Sequence, residues 1–153
     1  MVQYSPSMKT QITPDKFLFY IGSFTGPYEE YRLDDGWLHY RVNNEGCPPH
    51  MCQDGGAALI VAEKQMTEHD WATLWARLDE QRCDFWNWRK TYRDPDILDG
   101  TQWKLKFRMG SRFVKSYSCN DFPGGGKKNS EFNKFFEALE WVKIIIGRYR
   151  STL

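Results

Sequence analysis

Apolar and polar positions alternate with a period of two over much of this chain, and with a period near 3.6 over two longer stretches. The first pattern predicts strands whose side chains point alternately to two faces, and the second predicts helices with one apolar stripe. Residues 16–23 (K-F-L-F-Y-I-G-S) form a short apolar, aromatic run that fits a buried strand. Residues 29–42 read as a hairpin about Asp35-Gly36, a favoured two-residue turn. With those two residues central, Leu33 faces Leu38 and Tyr31 faces Tyr40. On the other side Glu30 faces Arg41 and Arg32 faces His39. Apolar pairs thus share one face and an opposite-charge pair the other, so the register is self-consistent. Residues 57–63 can add a strand, and Cys83 to Tyr92 fits either a short strand or a helical turn.

Thr67 is a good N-cap, with Glu68 and Asp70 in the first turn, and Trp71, Leu74, Trp75 and Leu78 follow at helical spacing to about Arg82. Ser130 starts a second amphipathic helix carrying Phe132, Phe135, Phe136, Leu139, Val142 and Ile146 on one side. Hairpins dominate, so the expected fold class is α+β: an antiparallel sheet built from hairpins, with two amphipathic helices packed on one face. Residues 1–153 should make a single domain, with 1–15 a loosely ordered entry segment.

Residues 100–128 stand apart (G-T-Q-W-K-L-K-F-R-M-G-S-R-F-V-K-S-Y-S-C-N-D-F-P-G-G-G-K-K). Taking Gly110-Ser111 as a type II′ turn, Met109 faces Arg112, Phe107 faces Val114, Leu105 faces Ser116 and Trp103 faces Ser118. The opposite face pairs Arg108 with Phe113, Lys106 with Lys115, and Lys104 with Tyr117. Like charges directly opposite each other are unfavourable by a few tenths of a kcal/mol. Acidic neighbours would make this an ordinary solvated face. Without them, an anion, an acidic partner surface or a phosphate backbone would relieve the repulsion, and aromatics among cations suit stacking on bases.

The loop Pro123 to Ser130 carries three glycines, Lys127 and Lys128 into a helix start, a place where free N–H groups can hold a phosphate. It is not a Walker A loop, because residue 121 is Asp and no Ser or Thr follows the first lysine. Cys47, His50 and Cys52 offer three soft donors within six residues, and zinc would need a fourth ligand from elsewhere. A Cys47–Cys52 disulfide would need an oxidising compartment, so reduced, unliganded thiols are the expectation. No hydrolase, metalloprotease, kinase or dinucleotide signature occurs. A Cys119–His39 nucleophilic pair has nothing else behind it, and the loop acids Asp94, Asp96 and Asp99 fit local capping better than cation binding.

Formal net charge is +1, so any pull on nucleic acid must come from a local patch. The 16% aromatic content favours a sheet-rich core and leaves material for an interface. No apolar run approaches a membrane span, and no signal segment is visible at the start, which gives a cytoplasmic expectation. The segment D-G-T-Q-W-K-L-K-F, then K-S-Y-S-C-N-D-F-P, then an F-x-x-F-F-x-A-L helix, covers Asp99 to Leu139. It resembles small uncharacterised bacterial α+β domains with a D-G-T-x-W strand, an S-x-x-N-x-[YF]-P turn and a following amphipathic helix. The resemblance implies a fold and no activity. The expected function is a non-enzymatic binding protein, an inhibitor or adaptor of the kind a phage or mobile element encodes. It would engage a protein or nucleic-acid partner, without cofactor or membrane, through Lys104, Lys106, Arg108, Phe113, Lys115, Tyr117, Lys127 and Lys128. The alternatives are a nucleotide- or phosphate-binding protein using the same cations, and a zinc-stabilised interaction module.

Overall fold

The computed structural model describes residues 11–23, 26–44, 47–51, 60–93, 101–119, 122–123 and 130–151, with backbone alone for 60–61, 93, 119 and 148–151. Seven strands form one sheet: β1 (Lys16–Gly22), β2 (Tyr28–Asp34), β3 (Trp37–Asn43), β4 (Ile60–Gln65), β5 (Thr91–Arg93), β6 (Gln102–Met109) and β7 (Arg112–Cys119). Their spatial order is β4-β3-β2-β1-β6-β7-β5. Helices α1 (Glu68–Glu80) and α2 (Glu131–Ser151) complete the fold, with 3-10 turns at Pro49–Met51 and Phe85–Asn87.

Both hairpins take the register that their turns dictate. Asp35 and Gly36 both have positive φ, and Leu33 pairs with Leu38 and Glu30 with Arg41. At the second turn only Gly110 has positive φ, and Lys106 pairs with Lys115 and Lys104 with Tyr117. That pattern of φ is the type II′ requirement. The sheet is mixed rather than wholly antiparallel, because β5 pairs parallel with β7 through Thr91–Tyr117 to Arg93–Cys119. Its three residues give backbone partners to the far end of β7, and Tyr117 N–H donates to the Lys90 carbonyl. The ambiguous segment after α1 thus holds both a 3-10 turn and a strand.

One face of the sheet is the core. Phe17, Phe19, Tyr31, Leu38, Leu105, Phe107 and Val114 point inward against Trp71, Leu74 and Leu78 of α1 and Phe132, Phe135, Leu139, Val142 and Ile146 of α2. Edge-to-face aromatic contacts join the layers, as at Phe19–Phe135 (5.4 Å) and Trp75–Phe107 (5.1 Å). Thr67 and Asp70 form a capping box that starts α1. Ser130 Oγ accepts from Asn133 N–H at the start of α2.

The entry segment is not loose where it is described. Trp75 Nε1 donates to the Ile12 carbonyl (2.7 Å), and Asp15 Oδ2 accepts from Gly110 N–H (2.8 Å), tying residues 12–15 to α1 and to the β6–β7 turn. That bond, together with Gln11 and Arg108, holds the exposed Asp15 carboxyl below its ordinary range.

Candidate functional site

The face opposite the helices divides into two halves of different chemistry. On β4, β3 and β2 the charges are mixed. His39 Nδ1 lies 3.0 Å from Glu63 Oε2 without making a hydrogen bond to it. Arg32 and Arg41 share this half with Glu30. Glu30 is completely buried. It faces Arg41 in register, yet its Oε2 accepts from the His50 backbone N–H (3.0 Å) and meets His50 Nδ1 at 2.5 Å. The 3-10 turn that carries His50 therefore folds over this half, with the His50 ring 5.5 Å from that of Tyr20. Tyr28 lies flat over Gly22, where a Cβ would sit only 2.4 Å from the Tyr28 ring.

On β1, β6 and β7 the charges are all of one sign. Strand β1 pairs with β6 over seven residues, placing Lys16 opposite Arg108, Leu18 opposite Lys106 and Tyr20 opposite Lys104. With the β6–β7 pairs this gives three rows across three strands: Tyr20–Lys104–Tyr117, Leu18–Lys106–Lys115 and Lys16–Arg108–Phe113. Among the described residues no salt bridge joins any of the four lysines to a carboxylate. Arg108 does feel Asp15. Burial first, then Lys106, Lys115 and Lys16, pulls the Lys104 amine below the ordinary lysine range. Lys106 is lowered by desolvation, Lys16 and Lys115. Burial also raises the Tyr20 hydroxyl, with Tyr28 and Glu30 adding to the shift.

Phe113 and Tyr117 remain 49% and 40% exposed. The Arg108 guanidinium lies 5.5 Å from the Phe113 ring centroid, a cation–π contact. At the Tyr117 end the surface hollows into a concavity of about 660 Å³, lined by Tyr20, Thr91, Gln102, Lys104, Lys115 and Tyr117 among others.

The structure thus brings together six of the eight residues singled out by sequence, on two adjacent strands of one surface. Lys127 and Lys128 lie outside the described residues, as do Cys52 and the acids Asp94, Asp96 and Asp99. Lys16 and Tyr20 join the site only through the β1–β6 pairing, whose partners are about ninety residues apart in sequence. Their alternation along K-F-L-F-Y assigns them to the polar side of β1 but does not say which strand lies next to it.

One chemical expectation is corrected. Cys47 is in a disulfide, so the expectation of reduced thiols fails there and its sulfur is not free to bind zinc as a thiolate. His50 directs Nδ1 to Glu30, and the described residues contain no cluster of three potential metal ligands. The Cys119–His39 pair is also ruled out, since β2, β1 and β6 lie between their strands. Cys83 is a free, buried thiol pushed up to about 12, mainly by burial. Among the described residues no helix is long and apolar enough to cross a membrane.

No protein-family model matches this chain, and comparison with curated proteins finds no match.

Proposed function

We propose that this is a non-enzymatic binding protein, of inhibitor or adaptor type, that holds an anionic macromolecular partner on the β1–β6–β7 half of its outer sheet face. One observation carries this reading: four lysines and an arginine share one surface, with exposed aromatics among them and, among the described residues, no carboxylate bridged to any of the lysines. On its other half the same sheet places Glu30 and Glu63 among Arg32, Arg41 and His39, so the fold does not require charges of one sign. An incoming anionic surface would relieve the repulsion and gain steering from the local positive field.

The disulfide at Cys47 belongs to an oxidising compartment and argues against a cytoplasmic setting. The concavity beside Lys104 and Lys115 favours one alternative, a small phosphorylated ligand bound between Tyr20 and Tyr117.

The deciding experiment is affinity capture from a lysate of the source cells, using the wild-type protein and a Lys106→Glu/Lys115→Glu variant side by side. A partner held by the wild type and lost by the variant is expected. The same set of captured species from both proteins overturns the reading.

A further inference from the structure

The cationic half-face has spacing as well as sign. Neighbouring strands lie about 4.8 Å apart, and same-face residues along a strand recur about every 6.7 Å. Tyr20 and Tyr117 therefore flank Lys104 at roughly 10 Å between Cα atoms, and Phe113 lies about 13 Å along β7 from Tyr117. Lys106 and Lys115 occupy the row between the aromatic stations, and Lys16 and Arg108 extend the charge to the far row.

We infer that this surface binds single-stranded nucleic acid, with bases stacked at Tyr117 and Phe113 and the intervening phosphates held by Lys106 and Lys115. This deepens the binding-face reading above and rests on it. Three observations favour this occupant. The two exposed rings stand on either side of the Lys115 ammonium along one strand, as bases flank a phosphate, and each base presents a π face to any flat ring. The Arg108 guanidinium lies 5.5 Å from the Phe113 ring centroid, adding a cation to that station. Lys16 and Arg108 lie beyond the lining of the concavity, so the positive charge continues past the space a single nucleotide would fill. A duplex keeps its bases stacked on one another and offers this surface only phosphates. An acidic peptide would use the cations and leave both rings without a role.

The test is fluorescence anisotropy with a short labelled oligothymidylate and its RNA counterpart, with a hairpin duplex and polyglutamate as comparison probes. The single strands bind, more tightly than the duplex, and the affinity falls with salt. Lys106→Gln or Lys115→Gln reduces the salt slope by about one. Phe113→Ala and Tyr117→Ala each weaken binding about tenfold while leaving the thermal midpoint near wild type, since both rings are at the surface. Single-strand binding that ignores both alanine substitutions overturns the stacking arrangement. Polyglutamate binding that depends on Lys106 and Lys115, with no oligonucleotide binding, overturns the nucleic-acid inference and leaves the binding face standing. Failure of every anionic probe overturns both.

Discussion

Replacing Lys106 with Glu should make the protein more stable. Lys106 sits directly across from Lys115, with Lys104 two residues away on its own strand and Lys16 on the strand beyond. At a nominal separation of about 7 Å in a largely aqueous setting, a like pair costs roughly 0.6 kcal/mol, and screening at physiological salt cuts that by about half. With three like neighbours, removing one charge should therefore return about 1 kcal/mol, and reversing it about 2 kcal/mol. For a chain of this size, 1 kcal/mol corresponds to a rise of roughly 2–4 °C in thermal midpoint. The assay is thermal unfolding followed by tryptophan fluorescence, for wild type, Lys106→Gln and Lys106→Glu, at low and high salt. The midpoints should rise in that order at low salt and converge at high salt, where the repulsion is screened. A Lys106→Glu midpoint at or below wild type, with the same salt response, would refute the crowding on which the binding face depends. The pH dependence has the matching sign. Lys104 and Lys106 have folded values below the 10.5 of a free lysine, so the unfolded chain holds more protons just below that pH. The two lysines thus add stability as pH climbs toward that value. From about pH 9 upward Cys83, Tyr31 and Tyr40 remove it, because burial raises all three and they ionise first in the unfolded chain.

Gly22→Ala should lower stability by about 2 kcal/mol in urea unfolding, because the new methyl would meet the fully packed Tyr28 ring at 2.4–2.7 Å. Wild-type stability would mean that Tyr28 can move aside. Glu30→Ala should cost about 2–3 kcal/mol by the same measurement, since it removes the acceptor of both His50 bonds; Glu30→Gln, which keeps an acceptor, should cost less. Cys83 should resist iodoacetamide at pH 8 in the native protein and react after unfolding, as read by peptide mapping, because burial holds its thiol near 12. Rapid native labelling of Cys83 would contradict that burial.

The parts legible in the sequence were those set by local chemistry. Asp35-Gly36 and Gly110-Ser111 fix two hairpins, and a two-residue turn plus a period of two leaves one register for each. The face that gathers Lys104, Lys106, Arg108, Phe113, Lys115 and Tyr117 follows from that register alone. The parts not legible depend on contacts made at a distance. The β1–β6 pairing joins segments far apart in sequence, and no local signal selects β6 over β3 or β4 as the neighbour of β1. Glu30 shows a subtler limit: its Cα partner is Arg41, as the hairpin requires, but its carboxylate turns to His50 on a loop that the register does not describe. Cys47, between a hairpin and a proline turn, fits equally as thiol, ligand or disulfide until the fold sets its neighbours. Strand β5, with three residues, is too short to show a period.

The two halves of the outer face bear on whether the lysine cluster is incidental. Both belong to one sheet, lie over one core and carry long polar side chains. On β2, β3 and β4, Glu30 and Glu63 accompany Arg32, Arg41 and His39, and the net charge of +1 suggests that such mixing runs throughout. It does not: four lysines and an arginine lie together on β1, β6 and β7, at an energetic cost that one substitution would remove. Features that lower stability, and that single changes could relieve, tend to persist where function uses them. The backing of this surface points the same way. Directly behind the lysines, Phe17, Phe19, Leu105 and Phe107 are at most 1% exposed and fix the backbone of β1 and β6. The inner core and the outer charges share one register, so the backbone positions that carry the cations cannot spread apart without dragging core residues out of place. A partner would meet a preorganised array rather than a set of flexible side chains on a mobile loop, which lowers the ordering cost of binding. By the same coupling, exchanging an outer charge leaves the inner face untouched, so changes in binding and changes in folding can be separated in a single variant.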